Sequence, residues 1–264
     1  MIRACAFDLD GTIIVRNKIL LGDRLKKILK KLREKGIYSI VITSRSLDEM
    51  KNMEEGFYDH FDALVVSTGS LIFKGNTLVK KHLISYKDIE KSLEFFEKND
   101  ILCAYSHEDG IFYYSHEIPE DKKHHFQHIF TNGFQVKPYE KGRDFLDFVY
   151  NMDFHYNQFK YINIPHNENI EVVPFLRHGH IKPRGINKGT GLKDVAKVMG
   201  INSDEIMVFG DNVNDISMFI EAKYAIAVEN AKEELKEFAT DICGKVSEDG
   251  VAKYLEKLEK EGKL

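Results

Sequence analysis

The sequence has few cysteines, and their spacing indicates neither a disulfide framework nor a cysteine-based motif. Its 264 residues include three cysteines, Cys5, Cys103 and Cys243, which lie far apart in the chain and form no CxxC pair. An odd number of widely separated cysteines is typical of a cytosolic protein with reduced thiols. We therefore expect free thiols in this chain.

The sequence also lacks a large excess of charge of one sign and a long apolar run. Lys and Arg number 38 and Asp and Glu number 42, so the formal net charge is −4 and no basic field indicates nucleic acid or an anionic membrane as a partner. No apolar stretch approaches the roughly 20 residues that a membrane span needs. An apolar strand begins within the first residues, which leaves no place for a signal peptide. We expect a soluble cytoplasmic protein, and nothing in the sequence indicates its oligomeric state.

Strand and helix patterns alternate regularly in the first and last thirds of the chain. Apolar runs such as 37–42 and 63–67 predict buried strands, and apolar residues at helical spacing predict the helices between them. This alternation favours a parallel sheet with helices on both faces. The middle of the chain has short strands, helical patches and many aromatic residues. We predict an α/β core of residues 1–82 and 183–264 with an inserted α+β domain of residues 83–182.

Further elements are predicted from the same patterns. They are a helix at 47–55, a hairpin turning at Gly75-Asn76, helices at 89–98, 119–130, 188–199 and 214–220, and strands at 101–106, 111–115, 205–209 and 224–228.

The first strand ends in two acidic residues, Asp8 and Asp10, which are followed by Gly11 and Thr12. Residues two apart in an extended chain face the same side. Both carboxylates therefore project into one small space, where they repel each other unless a proton or a cation lies between them. Gly11 allows the chain to turn sharply at this point. On its own the pair could equally be an acidic turn between a strand and a loop. Residues elsewhere in the chain are needed to distinguish such a turn from a functional site.

Three further strand or helix ends carry polar residues. They are Thr43, Ser44 and Arg45 after the strand 37–42, Lys188 at the start of the helix 188–199, and Asp211, Asn214 and Asp215 after the strand 205–209. Ligands of an open α/β sheet bind outside the carboxyl ends of its strands. We therefore expect all four polar clusters to meet there.

Together these residue types favour phosphate chemistry. Oxygen ligands without Cys or His suit Mg²⁺, and a hydroxyl, a lysine and the N–H groups of a helix N-terminus suit a phosphate. A carboxylate can also attack phosphorus and form an aspartyl-phosphate. Taken singly, Thr43 could cap a helix, Lys188 could be a surface lysine, and Asp211 and Asp215 could be turn residues. Their combination at four strand ends favours a shared site.

In order and spacing, these segments resemble the four motifs of the haloacid dehalogenase superfamily. The motifs are Asp8-Leu9-Asp10-Gly11-Thr12, Thr43, Lys188 and Gly210-Asp211-x-x-Asn214-Asp215. The segments 227–231 and 248–252, with the hairpin near 69–79, are similar to the Cof-type subfamily of sugar-phosphate phosphatases. The resemblance covers essentially the whole chain, although the insert matches only in size and place. It implies a Rossmann-like parallel-sheet core with an inserted α+β cap domain that sets substrate specificity.

The resemblance also implies a role for each matching residue. Asp8 would be the nucleophile and a Mg²⁺ ligand. Asp10 would protonate the leaving oxygen, then activate the water that hydrolyses the aspartyl-phosphate, and would bind Mg²⁺ through its backbone carbonyl. Asp211 would complete the metal site, and Asp215 would orient Lys188 or a water of the metal. The phosphoryl oxygens would be held by Thr43, Lys188 and Asn214, assisted by the backbone N–H groups of Leu9 and Ser44.

The sequence departs from the family pattern at Ser44 and Glu229, where glycine is commoner. Neither departure removes a charged group that the chemistry needs, but Ser44 is expected to narrow the phosphate loop slightly.

Histidines in the insert form a second candidate site. They lie in two groups, His124, His125 and His128, and His178 and His180. Because no cysteine or carboxylate accompanies them at ligand spacing, we favour solvated or hydrogen-bonded histidines over a metal site. Position alone suggests that Arg177, His178 and His180 contact the substrate.

The leading prediction is a Mg²⁺-dependent phosphatase that hydrolyses small phosphorylated metabolites, such as sugar phosphates, through an aspartyl-phosphate. A phosphotransferase or phosphomutase using the same intermediate is one alternative, and a catalytically silent binding protein is another. Ion pumping is excluded because the chain has no membrane spans. Cap residues decide the substrate, which the sequence alone leaves open.

Overall fold

A computed structural model describes residues 1–15, 18–99, 101–107, 112–114, 136–137, 149–155, 167–174 and 178–264. The chain divides into two compact units. The first comprises Met1–Ser44, Met53–Lys81 and Asn187–Leu264, and the second comprises Arg45–Asn52 and His82–Ile186. Among the described residues, no helix combines the length and the apolar character that crossing a bilayer requires. The role of the second unit as a substrate cap stays a prediction.

The strands and helices are numbered in chain order through both units. The strands are β1 (Ala4–Phe7), β2 (Tyr38–Ile42), β3 (Ala63–Val66), β4 (Leu71–Lys74), β5 (Thr77–Lys81), β6 (Leu102–His107), β7 (Phe112–Tyr114), β8 (Val136–Lys137), β9 (Val149–His155), β10 (Ile170–Pro174), β11 (His178–Pro183), β12 (Ile206–Gly210), β13 (Tyr224–Val228) and β14 (Asp241–Cys243). The α-helices are α1 (Asp23–Glu34), α2 (Leu47–Lys51), α3 (Tyr86–Lys98), α4 (Lys188–Met199), α5 (Ile216–Glu221), α6 (Glu233–Lys236) and α7 (Gly250–Lys260).

The first unit is built on one sheet with the strand order β14-β13-β12-β1-β2-β3-β4-β5. The strands from β14 to β3 run parallel, and β4 and β5 add an antiparallel edge. The α/β class and the hairpin turning at Gly75-Asn76 are thereby confirmed. All four residues of β1 are buried, as expected for a central strand of a parallel sheet covered on both faces.

The register of β1 determines which polar residues come together. Phe7 pairs with Val41 of β2 on one side and with Phe209 of β12 on the other. The three strands are parallel, so their carboxyl ends finish side by side. The residues that follow them, beginning with Asp8, Thr43 and Asp211, therefore lie along one edge of the sheet.

Three predicted helices differ in extent from the helices of the structure. The helix predicted at 89–98 is α3, which begins earlier, at Tyr86. The segment predicted as helix 47–55 forms only the five residues of α2, which ends at Asn52. Gly56 then adopts a left-handed conformation with φ of +76° before a short 3-10 turn, a backbone geometry that suits glycine. The segment predicted as helix 214–220 begins with a 3-10 turn at Val213–Asp215, and α5 follows it. The predicted helix 119–130 lies outside the described residues.

The second unit contains a sheet with the order β10-β11-β9-β6-β7-β8. Its neighbouring strands are antiparallel except β7 and β8, which are parallel. The apolar face of α3, with Ile89 and Phe96, packs into one core with residues of the sheet such as Tyr105 and Met152. The second unit therefore has a hydrophobic core of its own, as a separate domain requires.

Candidate active site

Asp8 is the first residue after β1, and contacts from three directions hold it. Its backbone N–H donates to the carbonyl of Phe209 at 3.0 Å. The Thr12 hydroxyl donates to Oδ2 at 3.0 Å, and the Lys188 ammonium donates to Oδ1 at 2.6 Å. Only 5% of Asp8 is exposed. Both carboxylate oxygens therefore have fixed partners, and the plane of the carboxylate is fixed with them.

Lys188 reaches Asp8 from the first turn of α4. Asn187 caps this helix, because its side chain accepts from the N–H of Thr190 at 3.0 Å while the Thr190 hydroxyl accepts from the N–H of Asn187 at 2.9 Å. Gly189 follows Lys188 in the helix. A Cβ at this position would lie 2.3 Å from the backbone oxygen of Ser217, so a larger residue does not fit. This close approach of backbone segments places the lysine at the sheet edge, where its side chain is fully buried.

Asp215 holds the other side of the lysine. Its Oδ1 accepts from the Lys188 ammonium at 2.5 Å, and its Oδ2 accepts from the backbone N–H groups of Asp211 and Asn212 at 3.0 Å each. A Cβ on Gly210 would lie 2.8 Å from the Asp215 side chain, so the glycine leaves the space that this carboxylate occupies. One side chain thus orients both the lysine and the turn that follows β12.

The carboxylates of Asp8, Asp211 and Asp215 form a compact buried cluster. One oxygen from each lies within 4.8 Å of the others. Two of these carboxylates, Asp8 and Asp215, share the ammonium of Lys188. Buried carboxylates this close repel each other unless a proton or a cation lies between them.

The pKa values of Asp8 and Lys188 are both shifted by burial and by the neighbouring charges. Burial is the largest influence on Asp8 and raises the pKa of its carboxyl; the charge of Asp215 adds to the rise, Lys188 and Thr12 oppose it, and the resulting pKa is about 6. Burial favours the neutral amine of Lys188, but the charges of Asp215 and Asp8 outweigh burial and raise the pKa of the ammonium above its ordinary value. The lysine therefore stays charged, and Asp8 takes up a proton more readily than an exposed aspartate does.

The cluster fits a hard divalent cation. Its donors are carboxylate oxygens without sulfur or imidazole, which Mg²⁺ prefers. A divalent cation would also reduce the repulsion between these carboxylates. The residues Asp8 and Asp211 and the neighbouring backbone can therefore hold such an ion, and Asp215 lies beside them.

The candidate phosphate-binding residues lie at the same edge of the sheet. Thr43 is buried directly after β2, and its backbone N–H donates to the carbonyl of Val65 at 2.9 Å. Ser44 follows, and its hydroxyl oxygen accepts from the Asn214 amide at 2.7 Å. This bond joins the loop after β2 to the loop after β12, so the serine at the position where glycine is commoner orients the Asn214 side chain.

The loop between Asp8 and Ile14 is tightly closed. The carbonyl of the buried Leu9 accepts from the N–H groups of Thr12, Ile13 and Ile14 at 2.9 to 3.2 Å. Asp10 lies inside this turn, is half-buried, and forms a β-bridge with Ile14. The position of Asp10 is thus determined by a compact backbone turn.

Sequence reasoning assigned no role to Thr12, although the structure places its hydroxyl on Asp8. A hydroxyl four residues after the first aspartate is the only signal the sequence carries for this contact. Among the histidines, His180 lies on β11 in the second unit, and the side chain of His178 is not among those described. Arg177 and the group His124, His125 and His128 lie outside the described residues. That the histidines are solvated or hydrogen-bonded, and that Arg177, His178 and His180 contact the substrate, therefore both stay predictions.

Comparisons with known proteins show the family and the fold of the chain. A family model described as haloacid dehalogenase-like hydrolase matches residues 5–255. The chain is 28% identical over 255 residues to the 5-amino-6-(5-phospho-D-ribitylamino)uracil phosphatase YcsE of Bacillus subtilis (strain 168), covering 96% of this chain and 94% of that protein. It is 24% identical over 265 residues to a phosphoglycolate phosphatase of Staphylothermus marinus, covering 98% of each chain.

A solved structure shares the fold over nearly the whole chain. The phosphatase BT1666 from Bacteroides thetaiotaomicron superposes with a TM-score of 0.79 at 20% identity, covering 98% of this chain and 96% of that chain.

Proposed function

The chain belongs to the haloacid dehalogenase-like hydrolase family, and on that basis we propose that it hydrolyses small phosphorylated metabolites with Mg²⁺ and an aspartyl-phosphate intermediate. It is a phosphomonoesterase, in keeping with its family and with the phosphatases that it resembles along its length. The metal, the covalent intermediate and the residue roles are the proposed part.

The observation that carries the proposal is the fixed carboxylate of Asp8 beside a buried ammonium. A nucleophile needs a defined direction of attack, and Thr12 and Lys188 give Asp8 one through hydrogen bonds at 3.0 and 2.6 Å. Phosphoryl transfer needs little else from a protein besides positioning and neutralisation of charge. A purely structural ion pair would not require two further buried carboxylates within 4.8 Å.

The proposed reaction has two steps on the protein side. In the first, a carboxylate oxygen of Asp8 attacks phosphorus, the bond to the ester oxygen breaks, and that oxygen takes a proton from Asp10. In the second, Asp10 accepts a proton from a water molecule that attacks phosphorus, and the bond between Asp8 and phosphorus breaks. Inorganic phosphate and a free hydroxyl compound result, and both aspartates return to their starting states.

The remaining residues are proposed to bind the phosphoryl group and the metal ion. We propose that Thr43, Lys188 and Asn214, with the backbone N–H groups of Leu9 and Ser44, hold the phosphoryl oxygens. Asp8, Asp211 and the backbone carbonyl of Asp10 would hold Mg²⁺, with Asp215 orienting Lys188. Bound there, the cation would neutralise charge on the phosphoryl group.

The substrate class follows from the relatives only in general terms. YcsE is named for a phosphorylated ribityl compound, and the Staphylothermus protein is named for phosphoglycolate. Both substrates are small phosphate monoesters with polar groups. We propose the same class for this chain, with sugar phosphates among the candidates and the second unit selecting among them.

Release of inorganic phosphate tests the proposal. The unaltered chain and Asp8→Asn are each given an aryl phosphate and a panel of phosphorylated metabolites, with Mg²⁺ or with EDTA. We expect turnover that requires Mg²⁺ and disappears in Asp8→Asn. Turnover that survives the substitution would contradict the role of Asp8. Phosphate recovered on a second hydroxyl compound would instead indicate a phosphotransferase.

A further inference from the structure

The turn after β13 contains a side chain that joins two distant parts of the first unit. Asn230 donates from Nδ2 to the backbone carbonyl of Gly11 at 2.8 Å, and its Oδ1 accepts from the backbone N–H of Val246 at 2.9 Å. A carbonyl can only accept and an N–H can only donate, so these two partners fix the orientation of the amide. The site requires a donor and an acceptor on one short side chain.

The carbonyl that Asn230 holds belongs to the loop that carries Asp8 and Asp10. Gly11 has a φ of +93°, and its N–H donates to the carbonyl of Ile14 at 2.8 Å. The peptide unit from Gly11 to Thr12 is therefore bonded at its carbonyl by Asn230, and Thr12 continues the chain to the hydroxyl that contacts Asp8. A donor on this carbonyl restrains both neighbours of Gly11 in sequence, Asp10 and Thr12.

The same turn also contacts the second acidic loop. The backbone N–H of Lys232 donates to the carbonyl of Asp211 at 2.8 Å. Asn230 therefore bonds to the loop after β1, and Lys232, two residues later, bonds to the loop after β12. The turn spans the two loops that supply the acidic residues.

We propose that Asn230 is a positioning residue for the loop of Asp8 and Asp10. The inference rests on the proposed phosphatase function and adds a residue to which that function assigned no role. The Nδ2 bond to Gly11 holds the Gly11–Thr12 peptide plane, and through it the Thr12 hydroxyl and the Asp10 backbone. Loss of the bond lets the loop sample other orientations, and a misplacement of about 1 Å at a reacting group can cost about 100-fold in rate.

Three variants separate positioning from a purely structural role. Asn230→Asp keeps an acceptor for Val246 but replaces the donor to Gly11 by a second acceptor; Asn230 is exposed, so the new charge stays in water. Val246→Pro removes the N–H that bonds to Oδ1 and leaves the Nδ2 donor for Gly11 in the chain. Val246 begins a 3-10 turn after the extended Lys245, a position that tolerates proline. Glu229→Gln is a matched neighbour, since its contact with Lys245 is exposed.

Two readouts are needed, kcat at saturating Mg²⁺ and substrate, and hydrogen exchange of the amides from Leu9 to Ile14 without substrate. For Asn230→Asp we expect kcat to fall about tenfold to 100-fold with a smaller change in KM, and faster exchange in this segment. Val246→Pro and Glu229→Gln should keep kcat within about twofold and the exchange unchanged.

The outcomes distinguish the two proposals. Unchanged kcat and unchanged exchange in Asn230→Asp would overturn the inference. An equal loss of kcat in Val246→Pro would overturn it too, because Asn230 would then act only by connecting two segments of the fold. If the unaltered chain released no phosphate from any ester, the proposed function would fail, while the exchange data would still show whether Asn230 holds the loop.

Discussion

Replacing Asp8 by asparagine should stabilise the metal-free protein at neutral and alkaline pH. Asp8 is 5% exposed and shares one ammonium with Asp215, so its ionised form is disfavoured in the folded state. Its pKa rises from 3.8 to about 6, and at 1.36 kcal/mol per pH unit the difference corresponds to about 3 kcal/mol of free energy of unfolding. Asparagine has nearly the same shape and carries no charge at any pH.

The sign and the pH window of the effect follow from that pKa. Between pH 4 and 6 the folded state retains a proton on Asp8 that the unfolded state has lost, so the stability of the unaltered protein falls as pH rises through this range. Above pH 6 the loss is complete and stays constant. We therefore expect Asp8→Asn to be more stable by about 3 kcal/mol at pH 8 and by about half that at pH 5.

Urea denaturation in EDTA at pH 5 and pH 8 measures the difference. Asp204→Asn, at an exposed aspartate, is the control and should change stability by less than about 0.5 kcal/mol at either pH. Mg²⁺ at about 100 times its Kd should add about 2.7 kcal/mol to the unaltered protein and much less to Asp8→Asn. A variant that is less stable at pH 8, or a difference that does not depend on pH, would refute the electrostatic reasoning.

Three other substitutions test the surroundings of this carboxylate. Lys188→Met leaves the two buried carboxylates that it bridges without a counter-charge, so the free energy of unfolding in EDTA should fall by about 3–5 kcal/mol; urea titrations with and without Mg²⁺ should show partial recovery with the ion. Gly210→Ala places a Cβ 2.8 Å from the Asp215 side chain and should cost about 1–3 kcal/mol in thermal unfolding while raising the Mg²⁺ concentration needed for half-maximal activity. Ser44→Ala removes the acceptor of the Asn214 amide and should raise KM for a phosphate ester about threefold with kcat nearly unchanged in steady-state kinetics; an unchanged KM would contradict the role assigned to that bond.

Local patterns predict much of the core fold because its strands are buried on both faces. The apolar run 37–42 predicts a strand that the structure places at Tyr38–Ile42. A polar residue such as Thr43 ends the apolar run, so the sequence also shows which residue follows the strand. The pattern fails where a helix is short: the predicted helix 47–55 contains apolar residues at suitable spacing, but Asn52 ends it and Gly56 starts a different turn.

The contacts within the site could not be predicted to the same extent. Lys188 and Asp8 are 180 residues apart in sequence, and only the register of β1 with its neighbours brings their elements to one edge. The resemblance implied that Asp215 orients Lys188 or a water of the metal, but it did not indicate that Asp8 bonds to the same ammonium. Likewise, nothing local to Asn230 shows that its amide reaches Gly11, because that contact depends on how the turn after β13 packs.

Direct detection of a phosphorylated Asp8 tests the central claim. The variant Asp10→Asn lacks the group proposed to activate water, so the aspartyl-phosphate should accumulate when this variant is mixed with an aryl phosphate and Mg²⁺. After an acid quench and proteolysis, mass spectrometry should find one added phosphoryl group on the peptide that contains Asp8, and none in the same variant with Asp8→Asn as well. A chain that releases phosphate but carries no phosphoryl group on Asp8, or carries it on another residue, would contradict the account.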